Sequence, residues 1–191
     1  MPRPATPANP TSSAPQCVML LRAINVGKRQ LPMAALRELA GTLGFAHART
    51  HLASGNLVAQ VSGASDAAAK RLEQAITEHF GFHSDVIVRS ADQWLRYLAD
   101  NPFAKASAAE PNRVMLLLAK QAPAAQAAAR LSERAVAGER IQAVRDGLWI
   151  HFPEGLGTSK LTPNLIDKSV GAPATARNWR TMQALAQMLS A

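Results

Sequence analysis

The order in which strand-like and helix-like apolar patterns alternate constrains the fold of this chain most strongly. In the first half, consecutive apolar residues typical of buried strands alternate with apolar residues spaced every three or four positions, which indicate amphipathic helices. The predicted order is strand, helix, strand, strand, helix, strand, over Cys17–Ala23, Pro32–Leu43, Arg49–Ala53, Leu57–Val61, Ser65–Phe80 and Val86–Val88. This βαββαβ order is that of the split unit of ferredoxin-like folds, so we expect an α+β fold with a four-stranded antiparallel sheet and two helices on one face.

The second half of the chain repeats part of this order. The predicted elements are a strand, an alanine-rich helix, a hairpin and a further helix, over Val114–Ala119, Pro123–Ala135, Arg140–Phe152 and from Thr162-Pro163 onward. The hairpin is indicated by Asp146-Gly147, a turn dipeptide between two apolar runs. Thr175 is positioned to cap a last helix. Because no fourth strand is evident, we expect a second α/β lobe that repeats the first only in part and ends in a C-terminal helix.

Composition along the chain suggests three segments. Residues 1–15 are rich in proline and small residues, and we expect a disordered tail there. Residues 16–103 form the predicted ferredoxin-like lobe, which closes with a third helix over about Ala91–Asp100. The polar, alanine-rich stretch 104–112 is the expected connection into the second lobe, 104–191.

Composition also excludes several classes of protein. With 48% hydrophobic residues, the 191-residue chain can bury a sizeable core. Its clearest apolar runs, such as Val18–Leu21, are far shorter than the ~20 residues of a membrane-spanning helix. No long apolar stretch near the N-terminus resembles a secretory signal. The one cysteine, Cys17, excludes an internal disulfide and a cysteine-based metal cluster, so we expect a cytoplasmic protein.

The charge balance favours anionic partners. The net charge is +8, from 21 Lys and Arg against 13 Asp and Glu. Residues 1–37 contain no acidic residue, and after Gly155 the only acidic residue is Asp167. Such a basic chain attracts phosphorylated small molecules or nucleic acid. No recognition motif for nucleic acid accompanies the charge.

Four polar patches lie in predicted loops or at helix starts. They combine glycine, hydroxyl and basic residues, and they span Arg22–Arg29, Ser54–Asn56, Gly155–Pro163 and Thr175–Trp179. Backbone N–H groups in glycine-containing turns and at helix N-termini bind oxyanions. Arginine and lysine side chains add charge-assisted hydrogen bonds. The patches therefore favour a site for an anionic ligand.

The same patches carry a family resemblance. In order and at similar spacing, they and Asn101-Pro102-Phe103 match the patterns R-G-I-N-V-G-G, Q-S-G-N, N-P-F, G-x-G-x-S-K-L-T and T-x-R-N-W. From about Val18 to Leu189 the chain thus resembles the bacterial family named domain of unknown function 1697. The resemblance implies two α/β subdomains related to ferredoxin-like units, and it implies no activity.

Three residues depart from the family patterns. Ala23 stands in place of the first glycine, Lys28 in place of the last, and Ala53 in place of the glutamine before Ser54. A side chain at position 23 or 28 would crowd a ligand that the loop approaches with its backbone. Any role of the glutamine in binding is absent from this chain.

We therefore expect a phosphorylated or otherwise anionic ligand in a basic, loop-lined site. The candidate ligand-binding residues are Arg22, Asn25, Lys28, Ser54, Asn56, Ser159, Lys160, Arg177 and Asn178. No metal site is expected, because no metal-binding motif such as H-E-x-x-H occurs. The sequence identifies neither a cofactor, nor a catalytic residue, nor the oligomeric state.

Other interpretations stay open. The patches are also ordinary turn and capping sequences that could serve the fold alone. A small enzyme acting on an anionic substrate would need a base or nucleophile near the site, for which His51, His151 and Ser159 are the candidates. A weak nucleic-acid-binding module or a protein-interaction module is a further alternative.

Overall fold

The fold consists of two four-stranded antiparallel sheets and seven helices within residues 14–190, which are the residues that the computed structural model describes. The predicted mixture of helices and antiparallel strands is thus confirmed. Of the predicted N-terminal tail, residues 1–13 lie outside the described residues.

The first sheet is built from the first half of the chain. Its elements are β1 (Gln16–Leu21), α1 (Met33–Thr42), β2 (Ala46–His51), β3 (Asn56–Gln60), α2 (Ser65–Phe80) and β4 (Val86–Ser90). The strand order is β2-β3-β1-β4. Val18 of β1 lies opposite Val58 of β3 on one side and Arg89 of β4 on the other. β1 is buried on both faces, which explains why it is a continuous apolar run.

The second sheet is built in the same order. After α3 (Ala91–Ala99) and α4 (Ala104–Ala109), the chain forms β5 (Val114–Ala119), α5 (Ala127–Ser132), β6 (Arg140–Val144), β7 (Gly147–His151), α6 (Pro163–Val170), β8 (Ala174–Asn178) and α7 (Trp179–Ser190). The strand order is β6-β7-β5-β8.

The fourth strand of this sheet corrects the sequence-based prediction. Thr175 does not cap a helix; it lies in β8, opposite Leu118 of β5. β8 was missed because its sequence, A-T-A-R-N, is not apolar, and because it is an edge strand with one neighbour. Its buried residues are Ala174 and Arg177, and a buried arginine gives no strand signal.

Two smaller predictions were also wrong in detail. The polar stretch expected to connect the lobes contains the short helix α4, and the predicted helix over Pro123–Ala135 shrinks to α5. The helix predicted to begin at Thr162-Pro163 is α6. The side chain of Thr162 caps it by accepting a hydrogen bond from Leu165 N–H, directly before Pro163.

Three apolar clusters hold the elements together. One lies between the first sheet and helices α1 and α2, and another between the second sheet and α5 and α6. The third joins the two sheets, because Val18 and Leu20 of β1 and Leu116 of β5 pack in one cluster with Trp94 of α3 and Met182 of α7. The two halves of the chain therefore share a core. No helix in residues 14–190 is long and apolar enough to cross a membrane.

Candidate functional site

Three of the four polar patches meet at one cleft. The cleft has a volume of about 600 Å³, and residues of both halves line it. The first patch contributes Arg22, Ala23 and Val26, the third contributes residues between Leu156 and Pro163, and the fourth contributes Thr175 and Ala176. The rest of the lining is mainly apolar and comes from β5, β7 and α6. Three of the four patches thus contribute residues to one cleft, whose inner wall is apolar.

Arg22 lines this cleft and pairs with a second charged residue of the lining, Asp167. Its Nη2 donates to Asp167 Oδ2 at 2.5 Å, and its Nε donates to the carbonyl of Ala174 at 2.9 Å. Asp167 Oδ1 accepts from the N–H of Ala174 at 3.1 Å. The Arg22 and Asp167 side chains are 25% and 28% exposed, so the ion pair is reachable from solvent. Nη1 of Arg22 has no hydrogen-bond partner among residues 14–190, so it has donors to offer a ligand.

Asn25 shapes the first patch from within. Its Nδ2 donates to the carbonyls of Leu31, at 3.0 Å, and Ala53, at 2.7 Å, and its Oδ1 accepts from Leu31 N–H at 2.8 Å. These bonds use the amide for the loop, and Asn25 does not line the cleft. After Asn25, a bridge between Val26 and Arg29 forms a small hairpin that contains the exposed Lys28.

Ser54-Gly55-Asn56 lies outside the cleft and ties the two halves together. Asn56 is fully buried, and its Nδ2 donates to the carbonyl of His51 at 2.7 Å and to Ser54 Oγ at 3.2 Å. A Cβ on Gly55 would lie 2.7 Å from Ile24 Cδ1 and 2.8 Å from Leu21 Cβ. Glycine is therefore required at position 55 for the close approach of the two loops, apart from any ligand.

Arg177 does not line the cleft, although the preceding residues Thr175 and Ala176 do. It is 7% exposed, and no carboxylate bonds to it among the described residues. Its Nη2 donates to the carbonyls of Leu21, Ser54 and Gly55, at 3.0, 3.0 and 3.2 Å, and its Nε donates to Asn56 Oδ1. Burial lowers the pKa of the guanidinium to about 10. A ligand could reach Arg177 only if these bonds between the two halves were broken.

The remaining candidates divide between the cleft and the fold. Ser159 lines the cleft; its hydroxyl donates to the buried carboxylate of Glu139 and accepts from Leu161 N–H at 3.2 Å. Lys160 follows it and is exposed. Asn178 is the last residue of β8, and its Oδ1 accepts a hydrogen bond from Thr181 N–H at 2.9 Å, which caps α7. Asn178 is thus a helix cap outside the cleft.

The histidines considered as catalytic bases lie elsewhere. His151 follows the cleft-lining Ile150 in β7, and successive strand residues face opposite sides of a sheet. Its Nδ1 accepts from Arg140 at 3.0 Å, and its ring lies 6.0 Å from the ring of Phe103. His51 is also absent from the cleft lining. Residues 14–190 contain no group of three or more His, Cys, Asp or Glu side chains that could hold a metal ion.

The sequence analysis missed two features of the cleft. One is Asp167, whose signal was its position as the only acidic residue after Gly155. The other is the apolar wall, which includes Met115, Leu117 and Ile150. In the sequence these three residues are typical of any buried strand, so no local signal distinguishes them from core.

Comparison with known proteins adds a family to this geometry. The family model described as a protein of unknown function, DUF1697, matches residues 15–149, which is more than half of the chain. The chain belongs to the DUF1697 family. This match includes the first two patches and ends before the segments that contribute Leu156–Pro163 and Thr175 to the cleft. The resemblance to this family is confirmed over residues 15–149.

A solved structure shares the fold. The conserved bacterial protein SP0830 from Streptococcus pneumoniae is similar at a TM-score of 0.74 and 20% sequence identity, over 93% of this chain and 99% of that one. At this identity the similarity concerns the fold alone. A search of curated proteins found no match.

Proposed function

We propose that this DUF1697 protein binds a small anionic ligand, such as a phosphorylated metabolite, in the cleft lined by both halves of the chain. The observation that carries the proposal is the convergence of three separate polar patches on this cleft of about 600 Å³. The volume falls in the range of ~300–1,000 Å³ that small-molecule sites occupy. Arg22 supplies the positive charge in the cleft lining.

The cleft is lined by one positive and one negative side chain, Arg22 and Asp167, and two lysines lie in the loops beside it. Asp167 already pairs with Arg22, so an anion would bind to the free Nη1 while Nη2 keeps its carboxylate partner. Lys28 and Lys160 are exposed and belong to the same two loops whose neighbouring residues line the cleft. Because the side chains of these lysines form no ion pair within residues 14–190, their charge is available to an incoming anion.

The side chains that line the cleft favour ligand binding over catalysis. A catalytic base must lie within hydrogen-bond reach of the substrate. His51 and His151 do not line the cleft. The hydroxyl of Ser159 donates a hydrogen bond to Glu139 rather than to a histidine. Asp167 is the carboxylate in the lining, but Arg22 and the N–H of Ala174 already bond to it, so the described lining residues offer the enzyme alternative no unengaged base.

The proposal includes the ferredoxin-like interpretation of both halves. In its support, the two sheets have strand orders that correspond strand for strand, β2-β3-β1-β4 and β6-β7-β5-β8. In each half a helix follows the first strand and another precedes the last. We take the protein to act in the cytoplasm, where a reduced, buried thiol such as Cys17 is ordinary.

A thermal-shift titration tests the binding proposal. The probes are inorganic phosphate, pyrophosphate, nucleoside monophosphates, sugar phosphates and short RNA and DNA oligonucleotides. A ligand of the folded state at 100 times its Kd adds ~2.7 kcal/mol of stability, so at least one small anion should raise the melting temperature in a saturable way. The variant Lys28→Ala/Lys160→Ala should need several-fold more ligand for the same shift.

Arg180→Ala is the matched control, since Arg180 is exposed on α7 and absent from the cleft lining. Its response should equal that of the wild type. An equal response of all three proteins would place the anion elsewhere, and the absence of any shift would remove the proposed function. Stabilisation by oligonucleotides alone, lost at physiological salt, would instead support the nucleic-acid alternative.

A further inference from the structure

The inner wall of the cleft is more apolar than the binding of a small hydrophilic anion requires. Its lining includes Met115 and Leu117 of β5, Ile150 of β7, Phe152, Leu161 and Ile166. Met115, Leu117 and Ile150 lie on the face of the second sheet that packs against α5 and α6, and all six side chains belong to the apolar cluster between that sheet and these helices. The cleft is thus an opening into an apolar layer, with polar groups at Arg22, Asp167 and Thr175.

Two exposed apolar side chains extend this surface to solvent. Val26, in the loop after β1, is 56% exposed, and Leu156, in the loop after β7, is 51% exposed. Both line the cleft, one from each half of the chain. A single exposed aliphatic side chain needs no explanation. Two that line the same apolar cleft extend its apolar lining towards solvent.

We propose that the ligand is a lipophilic anion, a molecule whose aliphatic chain lies on the apolar wall and between Val26 and Leu156 while its phosphate or carboxylate binds Arg22 Nη1. This inference rests on the proposed function and specifies its ligand class. The free Nη1 donors provide the anchor for the headgroup. An aliphatic chain in the ligand accounts for the apolar wall of a cleft whose flanking loops carry Lys28 and Lys160.

Chain length is the property that separates this ligand class from hydrophilic anions. Burying one methylene contributes ~0.8 kcal/mol, which is about a fourfold change in affinity. In a series of n-butyl, n-hexyl and n-octyl phosphate, each below its micelle concentration, Kd should fall about fourfold per added methylene until the wall is covered. n-Octanol, which has the chain but not the charge, should bind at least tenfold more weakly than n-octyl phosphate.

Calorimetric titration of the full-length protein with these probes provides the test. Val26→Ser/Leu156→Ser should weaken n-octyl phosphate several-fold and leave inorganic phosphate unchanged, because it shortens the apolar surface only. Val136→Ser is the matched control, since Val136 is 71% exposed and does not line the cleft. Lys28→Ala/Lys160→Ala should weaken n-octyl phosphate and leave n-octanol unchanged.

The possible failures are distinguishable. If inorganic phosphate and n-octyl phosphate bind equally and both depend on Lys28 and Lys160, the ligand class is wrong while the proposed function stands. If n-octanol binds as tightly as n-octyl phosphate, the cleft binds apolar molecules without regard to charge, and both proposals are wrong. Binding of n-octyl phosphate that is unchanged in Val26→Ser/Leu156→Ser, or weakened equally by the control variant, would also overturn the inference.

Discussion

Arg177 Nε donates a hydrogen bond to Asn56 Oδ1, although the two residues are 121 positions apart in the sequence. Both side chains are buried, Asn56 at 0% and Arg177 at 7% exposure. The bond joins the edge strand β8 of the second sheet to the first residue of β3 in the first sheet. Two of the motifs that suggested a ligand site thus bind each other and join the two halves of the chain.

Loss of this guanidinium should destabilise the protein strongly. Arg177→Met would remove the donor from the carbonyls of Leu21 and Ser54 and from the Oδ1 of Asn56, and it would leave the Gly55 carbonyl with Leu21 N–H alone. Unpaired buried acceptors of this kind should cost about 3 kcal/mol or more in total. In a chain of this size, the melting temperature should fall by roughly 10 °C. Urea unfolding followed by circular dichroism measures the loss.

Arg180→Met is the control for that experiment, because Arg180 is exposed, and it should change stability by less than about 0.5 kcal/mol. In a double-mutant cycle, Arg177→Met and Asn56→Ala should couple by at least ~0.5 kcal/mol. A coupling energy near zero would contradict a direct bond between the two side chains.

Gly55→Ala should also destabilise the protein. Gly55 has a φ of +82°, which strains any L-residue, and a Cβ would lie 2.7 Å from Ile24 Cδ1. The expected loss is about 2 kcal/mol, from backbone strain and overpacking together. Gly157→Ala is the contrast, since a Cβ at position 157 would have no atom within 4 Å beyond its chain neighbours. Equal stabilities of the two variants would show that the loops do not pack as described.

Ala23→Gly should have the opposite effect. Ala23 adopts a φ of +52°, which costs an alanine ~1–2 kcal/mol and a glycine almost nothing. After the greater freedom of glycine in the unfolded chain is subtracted, the gain should be about 0.5–1 kcal/mol. Ala67→Gly, in the exposed first turn of α2, should instead lose stability. The measurement is the urea midpoint, and a loss at both positions would refute the strained conformation of Ala23.

Cys17 should be unreactive while the protein is folded. Its thiol is 3% exposed, and burial raises its pKa to about 12. Alkylation by iodoacetamide at pH 8.5 should therefore be slow in buffer and fast in urea, because the thiolate is the nucleophile. In the unfolded chain the thiol ionises near pH ~8.5, so its contribution to stability is intact below that pH and is lost as the pH rises towards 12. Rapid alkylation without urea would show that β1 is exposed.

The elements of the first half could be predicted because their signals are local. β1 and β3 are runs of apolar residues, and the apolar face of α2 repeats at helical spacing and ends at Gly81, whose φ is +71°. β8 could not be predicted in this way. Its residue Arg177 is buried because distant carbonyl groups accept its hydrogen bonds, and the sequence near position 177 does not indicate those partners.

The candidate site could be predicted only in outline. The motifs identified Arg22, Ser159 and Lys160, which lie at the cleft or next to its lining, together with Asn56, Arg177 and Asn178, which serve the fold. The residue types are the same in both groups. What separates them is which donors and acceptors the folded chain already uses, and for Asn56 and Arg177 that depends on a contact between residues 121 positions apart.

The sequence by itself determined the family, the antiparallel strand and helix pattern of the first half, and the set of polar loops, because periodicity and turn residues act over short distances along the chain. Only the tertiary structure decided that three loops share a cleft, that its wall is apolar, and that Arg177 is a buried tie. Those properties arise when the two sheets pack on a common core, since packing determines which hydrogen bonds form and which surface stays open.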